Sequence, residues 1–156
     1  MEKEENIHIG SQEFDYNSVP SWYILCTLSD CPQSAECLRH LVASQAPETQ
    51  ETAQCIMPSV LKTGKCRFFN PIRKVRMARG FTHLFDNVLK SDYTAMRKTL
   101  TDYLHGSKFF YQYKRGERLL TPEQQQHIKK IIKSFGYGSD VPFDSFEDCF
   151  DFLYTI

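Results

Sequence analysis

No apolar run in this chain approaches the ~20 residues that a membrane-spanning helix needs, so no membrane-spanning helix is expected. The opening residues, M-E-K-E-E-N, lack the basic start and apolar stretch of a secretory signal. A cytoplasmic location is the resulting expectation. The sequence also lacks G-x-S-x-G, a Walker loop, G-x-G-x-x-G and H-E-x-x-H, which removes the enzyme classes those motifs mark. The five histidines (His8, His40, His83, His105 and His127) are scattered along the chain. A Cys–His nucleophile pair stays open, because such partners need only meet in space. The balance is against an enzyme. Internal repeats and low-complexity tracts are absent too.

What is present is enough for a core. The 156 residues include twelve Phe, eight Tyr and one Trp, and 41% are hydrophobic. That length suits one domain, or one domain with a Cys-rich subregion. Residues 1–20 are polar and read as a flexible N-terminal segment. Residues 21–156 read as a single domain, with a Cys-rich subregion at 21–70 and a helical subregion at 71–156.

The apolar spacing predicts mostly helices. Trp22 to Leu25 reads as a short extended piece, and Ala35, Leu38, Leu41 and Val42 predict a helix over 34–44. Pro71 suits a first helical turn, and Val75, Ala78, Phe81, Leu84, Phe85 and Val88 follow as one apolar stripe. A second stripe runs through Tyr93, Met96, Leu100, Tyr103 and Leu104, with Ser91 or Asp92 as cap and Gly106 as stop. Thr121-Pro122-Glu123-Gln124 is a capping-box helix start, with Ile128, Ile131, Ile132 and Phe135 behind it and Gly136 as stop. Asp144 and Glu147 form another capping pair, ahead of Phe146, Phe150 and Leu153 on a last short helix. The expected fold is a mainly α, small helical domain with an N-terminal Cys-rich loop region.

Cys26, Cys31 and Cys37 are spaced C-x4-C-x5-C, with Cys55 or Cys66 as a fourth thiol. In a reducing compartment such thiols are metal ligands or buried small residues more readily than disulfides. Four thiolates suit zinc, whose structural sites are tetrahedral, and Cys26, Cys31, Cys37 and Cys66 are the candidate set. His40 is a substitute ligand. An iron–sulfur cluster is the second cofactor candidate, although the spacing departs from the plant-type ferredoxin pattern. Cys149 falls in the C-terminal apolar stripe and reads as core.

Nineteen basic and nineteen acidic residues cancel in total, but not locally. Lys62, Lys65, Arg67, Arg73, Lys74, Arg76 and Arg79 have no acid among them, whereas Asp140, Asp144, Glu147, Asp148 and Asp151 have no base. Such a basic stripe binds phosphates, or else pairs with acids elsewhere in the fold.

The stretch 107–120 admits two structures. Alternation of Phe109, Tyr111 and Tyr113 favours a strand entering a hairpin turn. Alternatively, Ser107 starts a short helix that ends at Gly116. In the helical form, Leu104, Ser107, Tyr113, Arg115, Gly116, Glu117 and Arg118 resemble the Cro/phage-repressor helix-turn-helix pattern, with Thr121-Pro122-Glu123 opening the next helix. That resemblance implies that Ser107, Lys108 and Gln112 face DNA, and that Lys114, Arg115 and Arg118 clamp its backbone. Three aromatics stand where small polar residues would enter a groove. The Met77-Ala78-Arg79-Gly80-Phe81 and Tyr111–Gln125 stretches, with the cysteine cluster, are also similar to an uncharacterised family of the Bacteroidetes. That similarity implies no activity, but it implies that Cys26, Cys31, Cys37 and Cys66 act together.

The resulting expectation is a metal-stabilised nucleic-acid-binding or regulatory accessory module. Its candidate contacts are Arg73, Lys74, Arg76 and Arg79 together with Ser107, Lys108, Gln112, Lys114, Arg115 and Arg118. A protein-interaction module without nucleic acid and an iron–sulfur or redox protein are the alternatives. DNA or a protein is the expected partner, with no membrane; the oligomeric state is left open.

Overall fold

A computed structural model describes residues 14–154. The flexible segment expected at 1–20 therefore lies mostly outside the described residues. The chain divides into two compact units. One runs through Arg73 and takes back the chain from Phe152 onward; the other is Lys74–Asp151.

In the first unit the sole α-helix among the described residues is α1, Leu38–Ser44. Short 3-10 turns form at Tyr16–Ser18, Ser34–Glu36 and Pro58–Thr63. The helix expected over 34–44 is thus split at Cys37, whose extended backbone separates a turn from α1. Of the W-Y-I-L run expected to be extended, Trp22 lies in a turn closed by the Tyr23 N–H on the Pro20 carbonyl, and the run pairs at Leu25, which bridges Cys55 in parallel. Buried apolar residues are few: Tyr23, Leu25, Cys26, Cys37, Leu38, Val42 and Ile56.

The second unit carries β1 (Lys74–Arg79), α2 (Lys90–Tyr103), α3 (Ser107–Lys114), β2 (Leu119–Leu120), α4 (Pro122–Ser134) and β3 (Ser145–Phe150). The strands form one antiparallel sheet in the order β2-β1-β3. The β1/β3 register runs from Lys74 opposite Phe150 to Arg79 opposite Ser145. The fold is therefore mixed α/β, which corrects the mainly α expectation at two places.

The first is the stripe from Val75 to Val88. Its first part is β1, and its second part is a series of tight turns. Leu84, Asp86 and Val88 donate backbone hydrogen bonds to the carbonyls of Phe81, His83 and Phe85. Turns closed over three residues reproduce the i, i+3 spacing of a helix, so Phe81 and Leu84 are buried without one. Gly80 makes the break: its φ is +73°, and a Cβ there would collide with the Asp144 carboxylate.

The second is the C-terminal helix, which is β3 instead. Asp144 does cap, but it caps a different segment. Its carboxylate accepts hydrogen bonds from the Thr82 N–H at 3.1 Å and the Thr82 hydroxyl at 2.9 Å. Cys149, expected in the core, is half-buried in β3, with its Sγ 3.5 Å from Glu147 Oε1.

The remaining helices match expectation. Thr121 Oγ1 accepts from the Gln124 N–H, and Gln124 Oε1 accepts from the Thr121 N–H, closing the capping box of α4. α2 starts at Lys90 with Leu89 as its N-cap, two or three residues earlier than a Ser91 or Asp92 cap would place it. The core joins Ala78, Phe81, Leu84, Met96, Leu100, Leu104, Phe110, Leu120, Ile128, Ile131 and Ile132. Gln125 is buried on α4 and donates through Nε2 to the carbonyls of Arg76 and Leu120, tying helix to sheet. No helix of the described residues is long and apolar enough to cross a membrane.

Candidate functional sites

The expected ligand set, Cys26, Cys31, Cys37 and Cys66, lies wholly in the first unit. Backbone hydrogen bonds hold the segments that carry them. The Cys26 N–H donates to the Arg39 carbonyl at 3.2 Å, and the Leu38 N–H to the Asn70 carbonyl at 2.6 Å. The Ile72 N–H donates to Glu36, beside the bridge between Cys37 and Pro71. The Phe69 N–H closes a turn on the Cys66 carbonyl. Cys31 lies in a turn, its N–H donating to the carbonyl of Leu28 at 3.3 Å.

Arg39 adds a side-chain clamp. Its Nη1 donates to the Ile24 carbonyl and its Nε to the Phe68 carbonyl, both at 2.7 Å. These carbonyls lie two residues before Cys26 and two residues after Cys66. The guanidinium also stacks 4.6 Å from the Tyr23 ring centroid. Sequence reasoning missed Arg39, because a basic residue in a Cys-rich stretch carries no signal of which carbonyls it will reach.

Burial pushes the Cys26 thiol above its ordinary range, and a backbone hydrogen bond from Leu28 pulls it part of the way back. The neighbouring Cys37, Cys31 and Cys66 then raise it further, since negative sulfurs repel a new thiolate. Cys55 is exposed and is not among these neighbours. His40 turns Nδ1 to the Cys26 carbonyl at 3.1 Å. Among the described residues no group of three or more His, Cys, Asp or Glu side chains stands ready-gathered as a metal site. The expected metal ligands therefore do not converge on a common centre.

The basic candidates fall into two groups. Arg73 lies in the first unit, with its guanidinium 4.5 Å from the Tyr154 ring centroid. Lys74, Arg76 and Arg79 lie on β1, not on a helix. Lys74 and Arg76 sit over Phe150 and Phe146 at 5.1 and 4.6 Å. Arg79 is bound from two sides: Nη1 donates to the Gly116 carbonyl at 2.6 Å and Nη2 reaches Glu147 at 3.0 Å. Asp148 stands opposite Arg76 in the register. The acidic C-terminal stretch is thus laid along β1 by strand pairing.

The second group surrounds α3, where the helical alternative holds over Ser107–Lys114. Ser107 and Lys108 are exposed. Gln112 is half-buried and its Oε1 accepts from Arg118 Nε at 2.8 Å. Arg118 also lies 4.6 Å over Phe109, and Lys114 lies 5.8 Å from the Phe85 centroid. Arg115 pairs with Glu117 at 2.8 Å, both well exposed. From α2, Arg97 donates to the Tyr111 hydroxyl at 2.7 Å and rests against that ring. Phe110, the third aromatic pair-forming side chain of α3, is fully in the core.

No curated protein and no solved structure matches the chain. A family model does: the one described as a family of unknown function (DUF6078) matches residues 1–152, and the chain belongs to that family.

Proposed function

We propose that this protein is a nucleic-acid-binding module and that α2 and α3 carry the contact. One observation supports this choice over β1. Between Lys90 and Arg118 there are seven Lys and Arg residues against three Asp and Glu (Asp92, Asp102 and Glu117), whereas on β1 Arg79 is paired with Glu147 and Arg76 stands opposite Asp148 of β3. Cationic groups from α2 and from the chain after α3 also lie beside rings of α3. Tyr111 is 38% exposed, and Arg97 and Arg118 rest on Tyr111 and Phe109. Positive charge attracts phosphates, and an aromatic ring with a flat guanidinium offers a base a surface to stack on. The helix-turn-helix resemblance points to the same helix. Because Gln112 is held by Arg118, backbone contact by Lys108, Lys114, Arg115 and Arg118 takes precedence over base reading by Gln112.

The test is a band-shift titration with single- and double-stranded DNA over a range of salt. Affinity is expected to fall steeply with salt, and Lys108→Ala with Arg115→Ala should flatten the log–log slope by about 2 on duplex. Arg76→Ala should leave the slope unchanged. Absence of any shift at low salt would end this reading and favour a protein-interaction module that meets an acidic partner.

A further inference from the structure

We infer that the α2–α3 surface takes its nucleic acid single-stranded, with unpaired bases stacked on Tyr111 and Tyr93 and the phosphates met by the cations beside them. This deepens the nucleic-acid reading and rests on it.

The first observation is exposed ring surface on a firm support. Tyr93 of α2 and Tyr111 of α3 are each 38% exposed. Each stands against an inner ring. Tyr93 meets Phe85 edge-on with centroids 5.0 Å apart, and Tyr111 meets Phe110 edge-on at 5.3 Å. Phe85 and Phe110 are themselves 6.3 Å apart, and Phe110 is in the core. The Tyr111 hydroxyl is also held, accepting from Arg97 at 2.7 Å. A ring fixed in this way loses little freedom when a base settles on it.

The second observation is that cations stand among these rings. On α3, Lys108, Tyr111 and Arg115 are spaced i, i+3 and i+7, which places them on one helix face, and all three are exposed. Arg97 lies one turn beyond Tyr93 on α2 and reaches across to Tyr111. Lys114 lies 5.8 Å from the Phe85 centroid. Rings and positive charges therefore alternate over the surface. A single strand presents the matching pattern, with one phosphate and one flat base per nucleotide.

The third observation counts against a duplex. Paired bases are stacked on each other, so a duplex offers a protein its backbone and base edges, and exposed rings gain nothing from it. Edge reading needs a free amide or hydroxyl, yet Gln112 Oε1 is held by Arg118 Nε at 2.8 Å. Phe109, Phe110 and Tyr111 take three of the eight positions of α3, which leaves few small polar side chains for a groove.

The experiment is a fluorescence-anisotropy titration of the full chain with labelled oligo(dT), oligo(U) and the dA·dT duplex, each of about 12 nucleotides per strand, within the span of known single-strand sites. At low salt one or both single strands should bind about tenfold or more tighter than the duplex. Comparison of oligo(dT) with oligo(U) then names the preferred sugar. Tyr111→Ala should weaken single-strand binding roughly 5- to 150-fold, the contribution of one stacked base, and so close most of the gap to the duplex. Tyr111→Leu should lose nearly as much, because it keeps apolar bulk without a π face. Tyr111→Phe keeps the face and gives up the bond to Arg97, so most of the affinity should remain. An unchanged far-UV helical signal checks the fold of each variant, and the leucine and phenylalanine forms decide the matter alone if the alanine form is unstable. Duplex binding as tight as single-strand binding, or Tyr111→Leu binding as well as Tyr111→Phe, would overturn this inference and leave the broader nucleic-acid reading standing. No binding of any of the three at low salt would overturn both.

Discussion

The two units reach order by different means. Lys74–Asp151 buries eleven apolar side chains behind a three-stranded sheet and three helices. Its polar groups serve that packing: Gln125 joins α4 to β1 and β2, and Asp144 caps the Thr82 turn. The stretch up to Arg73 has few such side chains and almost no regular structure. There, single polar links do what a core does elsewhere. Arg39 holds two carbonyls, and Asn70 donates to the Tyr23 hydroxyl at 2.7 Å. In the packed unit the cost of a change follows the apolar volume removed, and in the first unit it follows the hydrogen bonds lost. Removing one side chain from each unit measures that difference.

The largest loss is expected in the packed unit. Phe81 is fully buried and meets Phe110 edge-on, with ring centroids 5.7 Å apart. Phe81→Ala removes an aromatic side chain from a site that β1 and the following turns prevent from collapsing. The cost should be about 3–5 kcal/mol, read from denaturant unfolding followed by the far-UV helical signal. A cost below about 1 kcal/mol would mean that this core is loosely packed and that the contrast between the units is false.

Next comes the first unit. Arg39→Ala leaves the carbonyls of Ile24 and Phe68 without their charged donor, and hydrogen bonds to charged groups contribute about 1.5–3 kcal/mol each. Loss of the pair should destabilise this unit by about 2–3 kcal/mol after water replaces part of the bonding. The fluorescence of Trp22 is the probe, since it lies in the same unit. Arg39→Lys should recover less than half, because an ammonium cannot span two carbonyls as a planar fork does. Full recovery by lysine would show that charge, and not the fork, joins the two segments.

The same contrast explains how much was legible in the sequence. Helices α2 and α4 were visible because their determinants are local. The Met96–Leu100–Leu104 stripe and the Thr121 capping box lie within a few turns of each other. β1 and β3 were hidden because their partners are some 70 residues apart in the register; β1 alternates only over Lys74–Met77, too short a run to outweigh the helical spacing that follows, and β3 does not alternate. The apolar positions of Phe81 and Leu84 were read correctly as buried, while the structure joining them was not. Spacing named four cysteines as a ligand set, but spacing carries no signal of side-chain direction, and among the described residues no group of three or more metal-ligating side chains gathers. Charge counting found the basic segment 62–79, but only strand pairing reveals that Glu147 and Asp148 stand against part of it.

The smallest expected effect tests that local signal directly. Thr121 and Gln124 satisfy each other's backbone N–H groups at the start of α4. Thr121→Ala deletes one half of the exchange and leaves the Gln124 N–H to water. Because Thr121 is only half-buried, water can reach that donor, so the loss should be about 1 kcal/mol. Pro122 at the first helical position keeps its fixed φ in the variant, which should confine the change to fraying of the first turn. Hydrogen exchange should then quicken near the start of α4, while amides around Ile131 and Ile132 keep their protection. Faster exchange throughout α4 would show that the cap supports the whole helix, and that the packed unit also depends on a single polar link.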